Sequence, residues 1–296
     1  GNASPGRTDD GMIASPAAPL RATARPRARR GMALSVRAMA SPAKRGVVIL
    51  PGLGNASPDY DKLITDLEAR GYVAGAAQVR RVDWLRNALG LRYPDYWKGT
   101  LKPRPTVDWY LERISAAVDE VQAEVGGDKV ALVAHSAGGW LARVWMDEFG
   151  TDKVDMMLSL GSPHLAAPKG VPGTIDQTRG LLDYCTDRFP GAYHDDVSYV
   201  TVAGNYIRGA ELNAEGASIN SRVVGAGYKQ VCGAADVWGD GITPVPSAHL
   251  EGAKQLTLEG VYHSPVGASD EAGGARPWYG SDGVLDQWAG ELGGSA

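Results

Sequence analysis

The stretch VALVAHSAGGW, residues 130–140, places one serine between a run of apolar residues and a pair of glycines. The pattern predicts a buried strand over 129–133, a tight turn over 134–138 and a helix that continues through Leu141. Such a turn lifts the side chain of Ser136 clear of the backbone. The first amide groups of the following helix also lack partners within that helix. The stretch therefore predicts an accessible serine hydroxyl beside free N–H donors.

A serine held at such a turn is the nucleophile of the α/β-hydrolases, and this stretch resembles their G-x-S-x-G motif. Gly138 matches the last position, whereas Ala134 stands where glycine is commoner; some lipases of the superfamily also read A-H-S-x-G. The resemblance covers roughly residues 47–292. It implies an α/β-hydrolase fold, with a mostly parallel central sheet, helices on both faces and a small cap or lid insertion. A serine-glycine entry to a helix, with no catalytic role, is the alternative.

The rest of the chain fits this fold, since apolar runs typical of strands alternate with helix-like segments from residue 47 onward. Continuous apolar strands in β-α-β order predict a parallel sheet covered on both faces. The aromatic-rich segment 82–105 is too long for an ordinary connection, and we expect it to be irregular and functional. The predicted helices cover 58–71, 111–125 and 141–149, and the other predicted strands cover 46–52, 72–79, 153–161, 197–204 and 254–260.

The candidate general base is His263, on a loop immediately after the last predicted strand. The superfamily triad follows the chain order serine, acid, histidine, and the resemblance places its base at this position. Gly260 and Pro265 mark the loop as irregular. A solvated loop histidine without catalytic role is the alternative.

The candidate acid is Asp240, in the stretch VWGDGITPVP. This stretch resembles the GDG-x-VP segment that carries the catalytic aspartate of many lipase-like proteins, and it lies between Ser136 and His263 in the chain. A tight turn between two glycines is the alternative explanation. Asp236 is the reserve candidate. Glu215 and Glu251 are the nearest other carboxylates considered for this role, but they lie outside the matching segment and are weaker candidates.

Two further histidines belong to recognisable stretches but are not expected to act as the base. His135 lies inside the turn itself, which should point its ring away from the Ser136 hydroxyl. His164 follows Pro163 in LSLGSPH, which resembles the L-G-T-P-H segment of lipases. We expect Pro163 and His164 to shape the rim of the active site, with a structural part for His164.

An oxyanion hole needs two N–H donors. The resemblance implies the amide of Ala137, directly after the nucleophile, and that of Leu53 in LPGLGN, which resembles the H-G-x oxyanion loop of lipases. Gly52 and Gly54 would let this backbone approach the substrate closely. A plain glycine-proline turn is the alternative.

The segment 165–195 lies where the superfamily commonly inserts a cap or lid. Its apolar residues would form a partly amphipathic helix that either covers an acyl pocket or packs on the core. The aromatic stretch 84–110 would be a second wall, and both suggest an ester with a long or bulky acyl part. The expected partner is a small-molecule or lipid ester, with peripheral membrane contact as a further expectation. The apolar residues concerned are Ile175, Leu181, Leu182, Cys185 and Phe189.

Charge divides the chain into two regions. Residues 1–46 carry nine basic and two acidic residues, whereas residues 47–296 carry 21 basic and 32 acidic residues. The excess of acidic residues in 47–296 argues against nucleic-acid binding. The arginine-rich, acid-poor N-terminal segment has the composition of a chloroplast transit peptide, with cleavage near Ala38. A disordered basic tail is the alternative, and residues 47–296 form the predicted hydrolase domain.

Other functions share these features. Thioesterases, lipid acyltransferases and peptidases use the same triad, and a non-catalytic binding protein could retain the fold. No H-E-x-x-H or C-x-x-C spacing occurs, so neither zinc nor any cofactor is expected. Cys185 and Cys232 are expected to be reduced thiols, with a regulatory disulfide as the alternative. The oligomeric state is left open.

Overall fold

A computed structural model of the chain describes residues 44–271 and 274–293. Its strands are β1 Gly46–Leu50, β2 Val73–Ala76, β3 Val130–His135, β4 Val154–Leu160, β5 Ser198–Asn205, β6 Ile207–Arg208, β7 Trp238–Gly239, β8 Lys254–Glu259, β9 Ser269–Glu271 and β10 Pro277–Asp282. Its α-helices are α1 Asp61–Ala69, α2 Pro94–Lys98, α3 Asp108–Glu124, α4 Ala137–Phe149, α5 Leu181–Arg188, α6 Ile219–Cys232 and α7 Val245–Ala248. Segments of 3₁₀-helix cover Ser57–Tyr60, Arg81–Arg92, Leu285–Gln287 and Ala289–Gly293.

The main sheet has the strand order β2-β1-β3-β4-β5-β8, and every neighbouring pair within it is parallel. Because parallel neighbours need crossover connections, helices alternate with these strands along the chain. The predicted parallel α/β architecture is confirmed. The prediction missed the short pairs β6-β7 and β9-β10. Residue 259 therefore ends the last strand of the main sheet but not the last strand of the chain.

Both faces of β1 and β3 are buried, which explains the unbroken apolar runs of these two strands. In β1, Val48 and Leu50 pack into a core with residues of α3, α4 and α5. Val47 and Ile49 point to the opposite face, into a second core with α1 and the C-terminal segment around Trp288. Side chains alternate between faces along a strand, so burial on both faces removes the polar positions that a half-exposed strand would show.

The segment predicted to be irregular, 82–105, is mostly helical. Arg81–Arg92 forms a 3₁₀ segment, and α2 follows at Pro94. The carboxylate of Asp83 accepts a hydrogen bond from the backbone N–H of Arg80 at 2.9 Å and is paired with Arg113 of α3 at 2.7 Å. The prediction failed because a 3₁₀ turn repeats every three residues, a period that neither α-helix nor strand patterns test.

The predicted transit peptide and its cleavage near Ala38 lie outside the described residues and stay a prediction. The last two residues of the segment 1–46 belong to the folded part, since Gly46 begins β1. Arg45 also binds the carboxylate of Asp155 through two contacts of 2.6 and 2.7 Å. None of the described helices is both long and apolar enough to cross a bilayer.

Candidate active site

Ser136 lies directly between β3 and α4, so the turn is shorter than predicted. The strand continues to His135 and the helix begins at Ala137. Ser136 has φ 53° and ψ −124°, a positive φ that side-chain-bearing residues rarely adopt. A Cβ at Gly138 would lie 2.6 Å from the carbonyl oxygen of Leu50, so helix and strand approach too closely there for any side chain. This close approach makes the one-residue turn possible.

The structure brings the three predicted triad residues together. His263 Nε2 is 3.0 Å from Ser136 Oγ, and His263 Nδ1 is 2.7 Å from Asp240 Oδ2. Because an ionised carboxylate only accepts hydrogen bonds, the ring proton lies on Nδ1. Nε2 is then the acceptor that faces the serine hydroxyl. In this arrangement His263 can take the proton of Ser136.

Asp240 is fully buried and its orientation is fixed by several donors. Its Oδ1 accepts the backbone N–H groups of Ile242 and Thr243 at 3.0 and 2.7 Å. Its Oδ2 accepts the hydroxyl of Tyr279 at 2.8 Å, besides facing His263. Sequence reasoning missed Tyr279, which lies 39 residues beyond Asp240 and belongs to no recognisable motif.

The other candidate acids lie elsewhere. The exposed carboxylate of Asp236 is paired with the guanidinium of Arg208 at 2.7 Å. Glu215 and Glu251 are exposed. None of the three contacts His263, whose acidic partner is Asp240.

Comparison with known proteins agrees with the observed architecture. A family model described as the alpha/beta hydrolase fold matches residues 47–183. The mature form of a lipase from Bacillus licheniformis superposes with a TM-score of 0.51, over 85% of this chain and 93% of that chain, at 16% identity. The chain has the α/β-hydrolase fold.

A methylesterase from Arabidopsis aligns over 84% of this chain and 97% of that chain, at 13% identity and a TM-score of 0.43. No curated protein matches the sequence. At such low identity the likeness to the lipase shows a shared fold alone.

His135 points away from Ser136 and joins the loop containing Gly52 to the loop containing His263. Its Nε2 is 2.9 Å from the carbonyl oxygen of His263, and its Nδ1 is 2.7 Å from the hydroxyl of Tyr60. That hydroxyl also accepts the N–H of Gly52, at 2.9 Å. Complete burial lowers the pKa of His135 well below its usual range, so the ring is neutral.

In this series of hydrogen bonds, the direction of each bond follows from which of its two groups can donate a proton. The carbonyl of His263 only accepts, so His135 carries its proton on Nε2 and accepts on Nδ1. Tyr60, whose pKa is raised by burial, stays protonated and donates to that Nδ1. The loop containing Gly52 and the loop containing His263 are thereby held by one continuous chain of buried hydrogen bonds. Tyr60 carries no sequence signal for this role.

We expect Tyr60→Phe to lower kcat/KM about tenfold and the free energy of unfolding by about 2 kcal/mol, because two buried polar groups lose their partner. The groups that lose their hydrogen-bond partner are the N–H of Gly52 and Nδ1 of His135. Ester hydrolysis and urea unfolding measure the two effects. The control is Tyr199→Phe, which removes another buried hydroxyl, 3.4 Å from the backbone nitrogen of His194. Equal kcat/KM in both variants would contradict the role of Tyr60.

The two residues predicted to supply the oxyanion donors lie at the cavity beside Ser136. The amide N–H groups of Leu53 and Ala137 have no hydrogen-bond partner among the described residues, and both residues line the cavity that contains Ser136. A Cβ at Gly52 would lie 2.7 Å from the Cβ of Ser136, so only glycine allows this approach. Gly54 has a different role from Gly52. Its φ of 78° favours glycine in the turn, whereas a Cβ there would meet no neighbouring atom.

His164 does not lie at the rim. It is fully buried, its Nε2 is 2.9 Å from Ser159 Oγ, and its N–H donates to the carbonyl of Ser247. Its ring lies close to Gly139 in the first turn of α4. Pro163 does line the cavity, as predicted. The stretch containing Ser162 and His164 thus packs against the first turn of α4.

A largely apolar cavity of about 300 Å³ opens beside Ser136. Both predicted walls contribute to it: the aromatic segment supplies Trp84 and Tyr96, and α5 supplies Leu181 and Leu182. The helix expected in 165–195 is α5, which lines this cavity and also packs in the core, where Cys185 and, directly after the helix, Phe189 are buried. Ile175 is exposed. Whether 165–195 moves as a lid stays a prediction.

Cys185 and Cys232 are free thiols in this structure. Burial raises the pKa of Cys185 to about 12, so it is protonated and unreactive at neutral pH. No group of three or more His, Cys, Asp or Glu side chains is placed to bind a metal within the described ranges.

Proposed function

We propose that the protein is a serine hydrolase that cleaves carboxylic esters, lipid-like ones above all, through an acyl-enzyme intermediate. The observation that carries the proposal is the continuous contact from Ser136 through His263 to Asp240, with the serine in the wall of an apolar cavity. A strained φ at the nucleophile, in a position set by the surrounding packing, is typical of a functional site.

The proposed reaction begins when His263 accepts the proton of Ser136 and Oγ attacks the ester carbonyl carbon. Asp240 stabilises the imidazolium, while the amides of Leu53 and Ala137 bind the negative oxygen of the tetrahedral intermediate. The intermediate collapses as His263 gives its proton to the leaving alcohol, which leaves an acyl-serine. Water, activated by the same histidine, attacks the acyl-serine and releases the acid and free enzyme.

The cavity supports an acyl chain as the group that it accommodates. Its wall is mainly aliphatic and aromatic, with Leu53, Trp84, Leu101, Trp140 and Leu182 among its residues. A volume of about 300 Å³ lies at the small end of ligand pockets, which favours chains of medium length. The plastid as the place of action is proposed from the composition of residues 1–46 alone.

Labelling with a fluorophosphonate probe tests the proposal, because this probe reacts with activated serines. Intact mass and peptide mapping of the wild type should show one label, on Ser136, and His263→Ala should show none. A folded wild type that stays unlabelled, both in buffer and with detergent micelles present, would contradict the proposal and favour a non-catalytic binding protein. Labelling only with micelles would instead indicate a cover over the site. Nitrophenyl esters of increasing acyl length would then define the chain preference.

A further inference from the structure

The 3₁₀ segment Arg81–Arg92 separates its side chains into rows, because a 3₁₀-helix has three residues per turn. One row faces inward: Trp84 and Gly90 are buried, Asn87 is half-buried, and Trp84 and Asn87 line the cavity beside Ser136. The segment is therefore part of the wall of the candidate active site.

The next row faces outward and is apolar. It consists of Val82, Leu85, Ala88 and Leu91, all of them exposed; the exposed fraction of Leu85 is 75%. Trp97 of α2, which is 67% exposed, extends this row, since its indole N–H donates to the carbonyl of Leu91 at 3.1 Å. We call these five residues the outer apolar row. Large apolar side chains grouped at an exposed surface are typical of interaction sites.

Basic residues accompany the outer apolar row. Residues 80–104 contain seven of the 21 basic residues of the region 47–296 but only two of its 32 acidic residues, Asp83 and Asp95. Asp83 is buried and paired, so Asp95 is the exposed acid of the segment. Three exposed bases have no acidic partner among the described residues: Arg92, Lys98 and Lys102.

We propose that this face binds the surface of an anionic lipid bilayer, with the outer apolar row among the headgroups and Arg92, Lys98 and Lys102 beside lipid phosphates. Apolar residues flanked by unpaired bases are the pattern of segments that lie in a membrane interface. The acidic remainder of the region 47–296 is repelled by such a surface, so the molecule docks with this face. Docking brings the cavity wall close to the lipid. Binding to the bilayer does not depend on the proposed ester hydrolysis.

Co-sedimentation with vesicles tests the proposal on the full chain carrying Ser136→Ala, which removes hydrolysis from the measurement. Binding is expected to vesicles of phosphatidylcholine mixed with phosphatidylglycerol, and to weaken with added salt, but not to phosphatidylcholine alone. Neutralising Arg92, Lys98 and Lys102 together to glutamine should weaken binding about fivefold per charge at low ionic strength. Leu85→Gln should weaken it about tenfold through lost apolar burial.

The matched control neutralises Lys153, Lys229 and Lys254 to glutamine, which changes the net charge equally at exposed or half-exposed positions elsewhere. It should bind like the unsubstituted chain. Equal binding by the two triple variants would overturn the proposal and assign any lipid binding to the basic residues 1–46. Absence of vesicle binding would also overturn it. Self-association that the first triple variant alone abolishes, without vesicle binding, would make the surface a contact between copies of the chain.

Discussion

Replacing His263 with alanine is expected to lower kcat/KM for ester hydrolysis about 10⁶-fold, because nucleophile and base act as a unit. The Ser136 hydroxyl is a weak nucleophile until a base accepts its proton, and His263 Nε2 is the group within 3.0 Å that can do so. The residual rate would come from the oxyanion donors and from substrate binding. Initial rates with a soluble nitrophenyl ester measure the effect.

The matched control for this variant is His249→Ala. The ring of His249 contacts the hydroxyls of Thr201 and Thr257 at 3.1 and 3.0 Å and does not line the cavity. Its loss should leave kcat/KM unchanged. A circular dichroism spectrum and an unfolding curve for each variant separate lost chemistry from lost folding. A folded His263→Ala protein with the wild-type rate would mean that hydrolysis occurs without this histidine.

The second large effect is expected for Asp240→Asn, with kcat lower by about 10⁴-fold. The backbone N–H groups of Ile242 and Thr243 both donate to Oδ1, so the amide oxygen of the asparagine must occupy that position. Its NH₂ group then faces His263 Nδ1, which becomes an acceptor. The ring proton moves to Nε2, which can no longer accept the proton of Ser136.

Two companion variants separate this tautomer effect from lost packing. Tyr279→Phe removes one donor to Asp240 Oδ2 but leaves the carboxylate in place, and should cost about tenfold in kcat. Asp236→Asn should have no effect, because that residue is paired with Arg208. A large decrease of kcat in Asp236→Asn, with a small decrease in Asp240→Asn, would assign the role of the acid to Asp236. Initial rates on folded variants decide between these outcomes.

How far local sequence predicts this structure depends on which interactions fix each element. The strands β1 and β3 were predictable because burial on both faces leaves unbroken apolar runs. The 3₁₀ segment Arg81–Arg92 was not predictable, because its three-residue period matches neither the α-helical nor the strand pattern and because its anchor, Asp83, is held by Arg113 of another element. The turn bounds around Ser136 also depended on contact with a strand distant in sequence, through Gly138 and Leu50.

The sequence by itself determined the α/β order of the fold and the identity of Ser136, Asp240 and His263 as candidates, since each belongs to a short stretch with its own pattern. Only the tertiary structure decided that these residues meet, because Ser136 and His263 are 127 positions apart. The tertiary structure also decided the hydrogen-bonding roles of Tyr60, His135 and Tyr279. A buried hydroxyl or imidazole obtains its role from the partners that folding places within about 3 Å, and those partners leave no local trace in the chain.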